Sequence, residues 1–162
     1  MPQYRLQTVL EIRQRAKDAA EQAFGEAMAA LAKEQAALKK LEEDLARRKV
    51  ERKAKVAAYM QEVVAKGGHA GGLSSLNRFE DRLKDEEMQV SLEIDRQKDV
   101  VLDAQRVVDE KRAAMAEAAK DLKAIEKHKD KWVKQVRTER DMREELAQEE
   151  IGNALFLQRQ KK

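Results

Sequence analysis

Residues 67–74 read Gly67-Gly68-His69-Ala70-Gly71-Gly72-Leu73-Ser74, and long segments rich in Ala, Leu, Glu, Lys and Arg lie on both sides. Glycine is favoured just past the end of a helix because it enters the left-handed region without a Cβ clash. Downstream, Asn77 and Glu80 have the spacing of a capping box at the start of a helix. We therefore predict a helix over residues 3–66, a turn at 67–74 and a second helix over about residues 75–155.

The composition also favours long helices over a compact globular domain. Charged residues make up 40% of the chain and aromatic residues only 4%, whereas a globular core normally needs more aromatic and β-branched side chains. The 34 basic and 31 acidic residues nearly cancel to a formal charge of +3, which argues against a strongly basic nucleic-acid surface. We expect an all-α protein, one antiparallel coiled-coil hairpin over residues 1–162 in which residues 138–162 overhang.

Three features that the sequence lacks indicate the cellular compartment of the protein. The sequence has no cysteine, which excludes a disulfide framework and fits a reducing compartment. It has no apolar run long enough to span a membrane, and residues 1–6 lack the apolar core of a signal peptide. We expect a soluble, cytoplasmic protein with no direct membrane insertion.

Heptad spacing runs through both predicted helices and indicates supercoiling. The seam of the first helix is Leu6, Leu10, Arg13, Lys17, Ala20, Phe24, Ala27, Leu31, Glu34, Leu38, Leu41, Leu45, Arg48, Arg52, Val56, Tyr59 and Val63. The seam of the second helix is Phe79, Leu83, Glu87, Val90, Ile94, Gln97, Val101, Ala104, Val108, Lys111, Met115, Ala118, Leu122, Ile125, Lys129, Trp132 and Val136. Folding at the glycines pairs Leu10 with Trp132 and Phe24 with Ala118, but it places Arg13 unfavourably against Lys129.

No residue pattern predicts catalysis or a cofactor. The glycine-rich stretch lacks the preceding strand and the Gly-Lys-Ser/Thr ending of a phosphate loop. His69 and His128 are expected to be exposed and far apart, so they predict neither a metal site nor a catalytic dyad. Carboxylates on solvated helix faces have no concave pocket in which to act. We predict a protein that is not an enzyme, with no catalytic, cofactor-binding or metal-binding residues.

Two apolar groups are candidate partner contacts. Phe79 and Leu83 follow the predicted turn, where core packing and partner contact are equally plausible. Leu155 and Phe156 have no mate in the hairpin, and an unpaired apolar patch commonly marks an interface; dimerisation is the competing explanation. The basic run of residues 47–55 could bind nucleic acid or anionic lipid, but it lacks interleaved aromatics and falls opposite acidic residues, which favours charge matching within the hairpin.

Three stretches carry a family resemblance. They are Tyr4-Arg5-Leu6-Gln7-Thr8-Val9-Leu10-Glu11-Ile12-Arg13, then Leu76-Asn77-Arg78-Phe79-Glu80-Asp81-Arg82-Leu83, and the segment from Leu122 to Trp132. The first two resemble FliJ-type flagellar export proteins, and the third is similar to the second helix of those proteins and of their YscO relatives in virulence secretion. The glycine-rich tip and the chain ending favour the virulence branch.

The resemblance implies a central stalk for a type III secretion ATPase. Its implied partners are a hexameric ATPase ring, the cytoplasmic part of the export gate membrane protein and, for some members, export chaperones. It implies gate contact at Phe79 and Leu83, although Glu86 and Glu87 depart from the small or apolar residues of the family. By the same analogy, the residues expected at the ATPase ring are Leu6, Leu10, Trp132, Val136, Leu155 and Phe156.

Two other interpretations remain at this point. One is a generic coiled-coil adaptor or spacer without an ATPase partner. The other is a nucleic-acid-binding helical arm, whose affinity would fall steeply with salt. For the stalk interpretation we expect a monomer in isolation.

Overall fold

Two long α-helices account for the fold of this protein, whose computed structural model describes residues 1–161. Helix α1 spans Gln7–Ala65 and helix α2 spans Ala70–Gln160. The two helices pack against each other as an all-α helical hairpin, which confirms the predicted fold class.

The connection between the helices is shorter than predicted. Gly67 and Gly68 have φ angles of 96° and 69°, values that glycine adopts without strain. The N–H of Gly68 donates to the carbonyl of Val63 at 2.9 Å, and that of Gly67 donates to the carbonyl of Val64 at 3.1 Å. This pair of bonds is a Schellman motif. Because two glycines suffice to end α1, the rest of the predicted turn is free to be helical.

The other helix boundaries also differ from the prediction. Helix α1 begins at Gln7 rather than at residue 3, and the Gln7 N–H donates to the carbonyl of Tyr4 at 3.2 Å. Asn77 lies inside α2 rather than at its start. Helix α2 runs on to Gln160, and every described residue after Val136 is exposed. The final residue of the predicted overhang, Lys162, lies outside the described residues, and the single-domain assignment stays a prediction.

Both predicted seams are confirmed by burial. Every predicted seam position is buried or half-buried except Arg13 and Lys111. Val108 is the most enclosed, with 2% of its surface exposed. The prediction missed Tyr4 and Leu76, which are also buried. Leu76 precedes Phe79 by three residues, so it continues the heptad seam into the segment that was expected to begin the second helix.

The contacts divide the chain into two units. Unit 1 comprises Met1–Gln22 and the chain from Ala113 onward, and unit 2 comprises Ala23–Arg112. Each unit contains a part of both helices, so each can be compared with the predicted pairing by itself.

The predicted register is wrong in both units. In unit 1, Arg13 meets Asp121 at 3.3 Å, eight residues before the predicted Lys129. In unit 2, the guanidinium of Arg112 lies 5.7 Å from the ring centroid of Phe24, six residues before the predicted Ala118. The true pairing is therefore displaced by about one heptad.

The physical reason for the register error is the short turn. A displacement of one heptad leaves the same seam positions facing inward, so burial alone does not distinguish the two registers. Moving the turn from residues 67–74 to the pair Gly67-Gly68 shifts every partner by about this amount. The shift also removes the unfavourable Arg13–Lys129 pair, since Lys129 instead donates to the side-chain oxygen of Gln7 at 3.0 Å.

Candidate partner-binding surfaces

In unit 2, an aromatic pair lies close to the turn. The rings of Tyr59 and Phe79 stack with centroids 5.4 Å apart and planes 17° from parallel. The guanidinium of Arg82 lies 5.5 Å from the centroid of the Phe79 ring, within the range of a cation–π contact. Phe79 is therefore half-buried, with part of its surface left to solvent.

Leu83 lies one helical turn beyond Phe79, at the edge of a shallow groove. Its side chain is half-buried. Every other side chain around the groove is charged, and these are Arg47, Arg48, Glu51, Arg52, Lys55 and Glu86. Phe79 and Leu83 thus present a small apolar surface, and Leu83 borders a polar rim.

The groove is held by an ion-pair network centred on Arg52. The Arg52 Nε donates to Glu87 Oε1 at 2.7 Å, and an Arg52 terminal nitrogen lies 3.6 Å from Glu80. Glu87 is buried, with 8% of its surface exposed. Because Arg52 and Glu87 are both seam positions, this pair replaces an apolar layer of the coiled coil with a charged one.

A second polar layer lies elsewhere in unit 2. The side-chain nitrogen of Gln97 donates to the Glu34 carboxylate at 2.6 Å and to the Glu34 backbone carbonyl at 3.0 Å. Both are seam positions, so the polar interruptions of one seam face those of the other. A polar pair in a coiled-coil seam specifies register at some cost in stability.

In the basic run of residues 47–55, the three arginines form ion pairs inside unit 2. Arg47 pairs with Asp44 and Glu51, and Arg48 pairs with Asp44 at 2.9 Å and with Glu86 at 3.7 Å. The hydrogen bond from Arg48 is the largest cause that lowers the pKa of Asp44 below its ordinary value. These pairs support charge matching within the hairpin as the role of this run.

In unit 1, three rings form a cluster beside the N-terminus. The Tyr4 hydroxyl is 2.7 Å from Nδ1 of His128. Its ring lies 5.1 Å from that of Trp132, centroid to centroid. His128 is exposed, as predicted, and its contact with the buried Tyr4 is the feature that the sequence did not predict. The sequence feature that could have predicted this cluster is Tyr4, an aromatic residue just before α1 that can reach Trp132 and His128 on α2.

The six residues of unit 1 that were predicted to contact the ATPase ring differ in exposure. Leu6, Leu10, Trp132 and Val136 are half-buried by contacts within unit 1. Val136 lines a groove with Met1, Pro2 and three arginines. The exposed fractions of Leu155 and Phe156 are 53% and 60%. Of these six residues, only Leu155 and Phe156 are more than half exposed.

The exposed end of α2 is apolar on several sides. Beyond Val136, six large apolar side chains are more than half exposed, namely Met142, Leu146, Ile151, Leu155, Phe156 and Leu157. At 100° per residue, Ile151 and Leu155 point roughly away from Phe156 and Leu157. A helix that is apolar on more than one side suits a site surrounded by protein better than docking through a single face.

Among residues 1–161, neither helix has a stretch that is both long and apolar enough to cross a membrane. The same residues contain no group of three His, Asp or Glu side chains placed to hold a metal ion.

These observations define an all-α helical hairpin with exposed apolar and charged surfaces. A family model described as YscO-like protein matches residues 1–162. The chain therefore belongs to the YscO-like family, which is not a family of enzymes. This confirms the YscO part of the resemblance, while the FliJ-type assignment stays a prediction.

A solved structure supports the fold. The structure is described as that of a YscO homologue, CT670, from Chlamydia trachomatis. It superposes with a TM-score of 0.82 at 22% identity, and the match covers 100% of this chain and 99% of that one. No curated protein matches the sequence significantly. At this identity the likeness concerns the fold alone.

Proposed function

We propose that this protein is a non-enzymatic central stalk of a type III secretion ATPase. The observation that carries the proposal is its membership of the YscO-like family over the whole chain, together with the association with type III secretion that the resemblance implies. The proposed partners are the hexameric ATPase, the export gate and export chaperones. The protein would then work in the cytoplasm, peripheral to the inner-membrane secretion apparatus.

The mechanism rests on the asymmetry of two packed helices. Six equivalent ATPase subunits around two unlike helices contact different side chains, so the stalk makes their environments unequal. Such differential contact is what allows a binding partner to favour one conformational state of a subunit over another. On this proposal the stalk promotes ring assembly and activates hydrolysis by biasing the states of the subunits.

Exposure suggests which residues make the first contact with each partner. At the ring, Leu155 and Phe156 have free apolar surface, whereas Leu6, Leu10, Trp132 and Val136 are half-buried by their own unit. We therefore propose that Leu155 and Phe156 contact the ATPase and that the other four position them. At the gate, Phe79 and Leu83 would supply the apolar contact.

The test measures hydrolysis by the cognate secretion ATPase with and without this protein, together with the size of the ATPase. We expect faster turnover and a larger fraction of hexamer when the protein is added. If the active ATPase neither binds the protein nor changes its turnover, the stalk proposal fails and the protein is a coiled-coil adaptor.

A further inference from the structure

Helix α2 has a second heptad seam on the face away from α1. It consists of Asp81, Asp85, Met88, Leu92, Asp95, Asp99 and Leu102, at alternating steps of four and three. Asp81, Asp85, Leu92 and Asp99 lie two residues from the inner positions on either side, which is about 200° around the helix, and the other three directly follow an inner position, about 100° away. We call these seven residues the outer acidic seam.

Exposure shows that nothing in the hairpin covers the outer acidic seam. Met88, Leu92 and Leu102 have 59%, 42% and 57% of their surfaces exposed. By contrast, Val90 and Ile94 on the inner face are each 6% exposed. Large apolar side chains at heptad spacing are what a further helix packs against.

The carboxylates of this seam have no partners of their own. In the described part of the chain, Asp81, Asp85, Asp95 and Asp99 form no ion pair or hydrogen bond. Several neighbouring bases are engaged elsewhere: Lys84 pairs with Glu80 at 3.1 Å, and Arg82 lies over Phe79. Arg96 and Lys98 lie at the two edges of the seam without such a contact, and with four aspartates between them the face stays net negative.

The negative charge of the outer acidic seam indicates which class of molecule can bind to it. Carboxylates repel the phosphates of nucleic acids and of anionic lipids, so neither of these fits. A second copy of the same seam does not fit either, because a parallel pair places Asp95 against Asp95. An antiparallel pair centred on Leu92 places Asp85 against Asp99.

We propose that the outer acidic seam binds a basic amphipathic helix of another protein. Leucine-like side chains of that helix would pack on Met88, Leu92 and Leu102, and its lysines or arginines would pair with the four aspartates. Helix-in-groove recognition of this kind is read through anchors at i, i+3, i+4 and i+7. The site is separate from the proposed ring and gate contacts and does not depend on the stalk function.

The test uses a designed peptide of about four heptads, with leucine at the seam positions and lysine beside them. Its matched control has each lysine replaced by glutamate. Fluorescence anisotropy with the full-length protein measures both affinities. We expect the basic peptide to bind, and to weaken about tenfold or more when Asp95→Lys and Asp99→Lys are combined.

A matched variant separates this face from overall charge. Glu42 and Glu43 are exposed on α1 and form no ion pair, so Glu42→Lys with Glu43→Lys makes the same change in net charge elsewhere. We expect this variant to bind the basic peptide nearly as the unmodified protein does. Circular dichroism establishes whether both variants fold. If the variant with Asp95→Lys and Asp99→Lys does not fold, the variant with Asp95→Asn and Asp99→Asn takes its place.

Four results would overturn the proposal. They are no binding of the basic peptide, equal binding of the acidic peptide, equal weakening in the Glu42 and Glu43 variant, and self-association of the protein that Leu92→Lys abolishes. The last result would assign the face to a second copy of the chain.

Discussion

Arg52 and Glu87 show how single residues specify this hairpin. They occupy seam positions where leucine would pack well, and they pair at 2.7 Å with Glu87 buried. A buried ion pair adds little net stability, but removing one partner leaves an uncompensated charge. The pair therefore opposes displacement of one helix along the other, because a different register would separate the two charges.

At this scale we predict a strongly non-additive double-mutant cycle. Arg52→Leu alone should lower the free energy of unfolding by about 2 kcal/mol, because it leaves the Glu87 carboxylate buried without its cation. Adding Glu87→Leu should restore most or all of the loss by creating an apolar layer. Urea unfolding followed by circular dichroism measures the cycle. Additive losses in the double variant would show that the pair does not act as a unit.

Among the helices themselves, the turn determines which residues face each other. Gly67 and Gly68 supply the positive φ angles of the Schellman motif, whereas Gly71 and Gly72 lie within α2. A Cβ added at Gly71 meets nothing within 4 Å, but one at Gly72 falls 3.1 Å from a methyl carbon of Val63. Four glycines close together in sequence thus have three different structural roles.

These roles predict different effects of the same substitution. Gly71→Ala should raise the free energy of unfolding by about 0.5–1 kcal/mol, since alanine favours a helix and meets no obstacle. Gly72→Ala should gain less, because Val63 is buried and must move. Gly68→Ala should lose about 1 kcal/mol through its left-handed conformation. Thermal and urea unfolding of the three variants compare them, and equal effects would contradict this account of the turn.

The register gives a second prediction for the helices. The protein has no cysteine, so a pair of introduced cysteines can be crosslinked without interference from native thiols. Arg13→Cys with Asp121→Cys should crosslink efficiently within one molecule through a short bis-maleimide. Arg13→Cys with Lys129→Cys should not, since Lys129 lies about two turns further along α2. Electrophoresis of the products decides between the registers, and preferential crosslinking of the second pair would restore the register predicted from sequence.

The sequence was sufficient to predict the fold class and both seams, because heptad spacing depends only on which residues are apolar. It did not determine the register, because displacement by one heptad preserves every seam position. The informative residues were the polar interruptions: Arg52 with Glu87 and Glu34 with Gln97 are complementary only near the true register. Tyr4 was missed because the predicted helix included it away from the seam, whereas in the structure it lies before α1 and packs on α2.

For the whole molecule, the long exposed end of α2 is the feature on which the proposed stalk function depends most. Every described residue after Val136 is exposed, so these side chains are accessible to a partner. Large apolar residues left in water at such density are characteristic of interaction sites. Substitutions at this end are therefore expected to change partner binding and to leave the stability of the hairpin unchanged.

Replacing Leu155 and Phe156 together by aspartate should leave the melting temperature nearly unchanged, because both side chains are already exposed. The same variant should lose most of its stimulation of the secretion ATPase, since it places charge in the proposed apolar contact. Glu149→Ala with Glu150→Ala serves as a control on the same helix. Full stimulation by the aspartate variant would remove this end of α2 from the ring contact.

Trp132, the sole tryptophan, gives the protein an intrinsic optical probe. Its indole lies 5.1 Å from the Tyr4 ring, and both residues belong to unit 1. Emission from this fluorophore therefore follows the melting of unit 1, whereas far-ultraviolet ellipticity sums the helices of both units. Coincident midpoints would mean that the hairpin melts cooperatively, and separated midpoints would measure how far one unit frays before the other, all without a label.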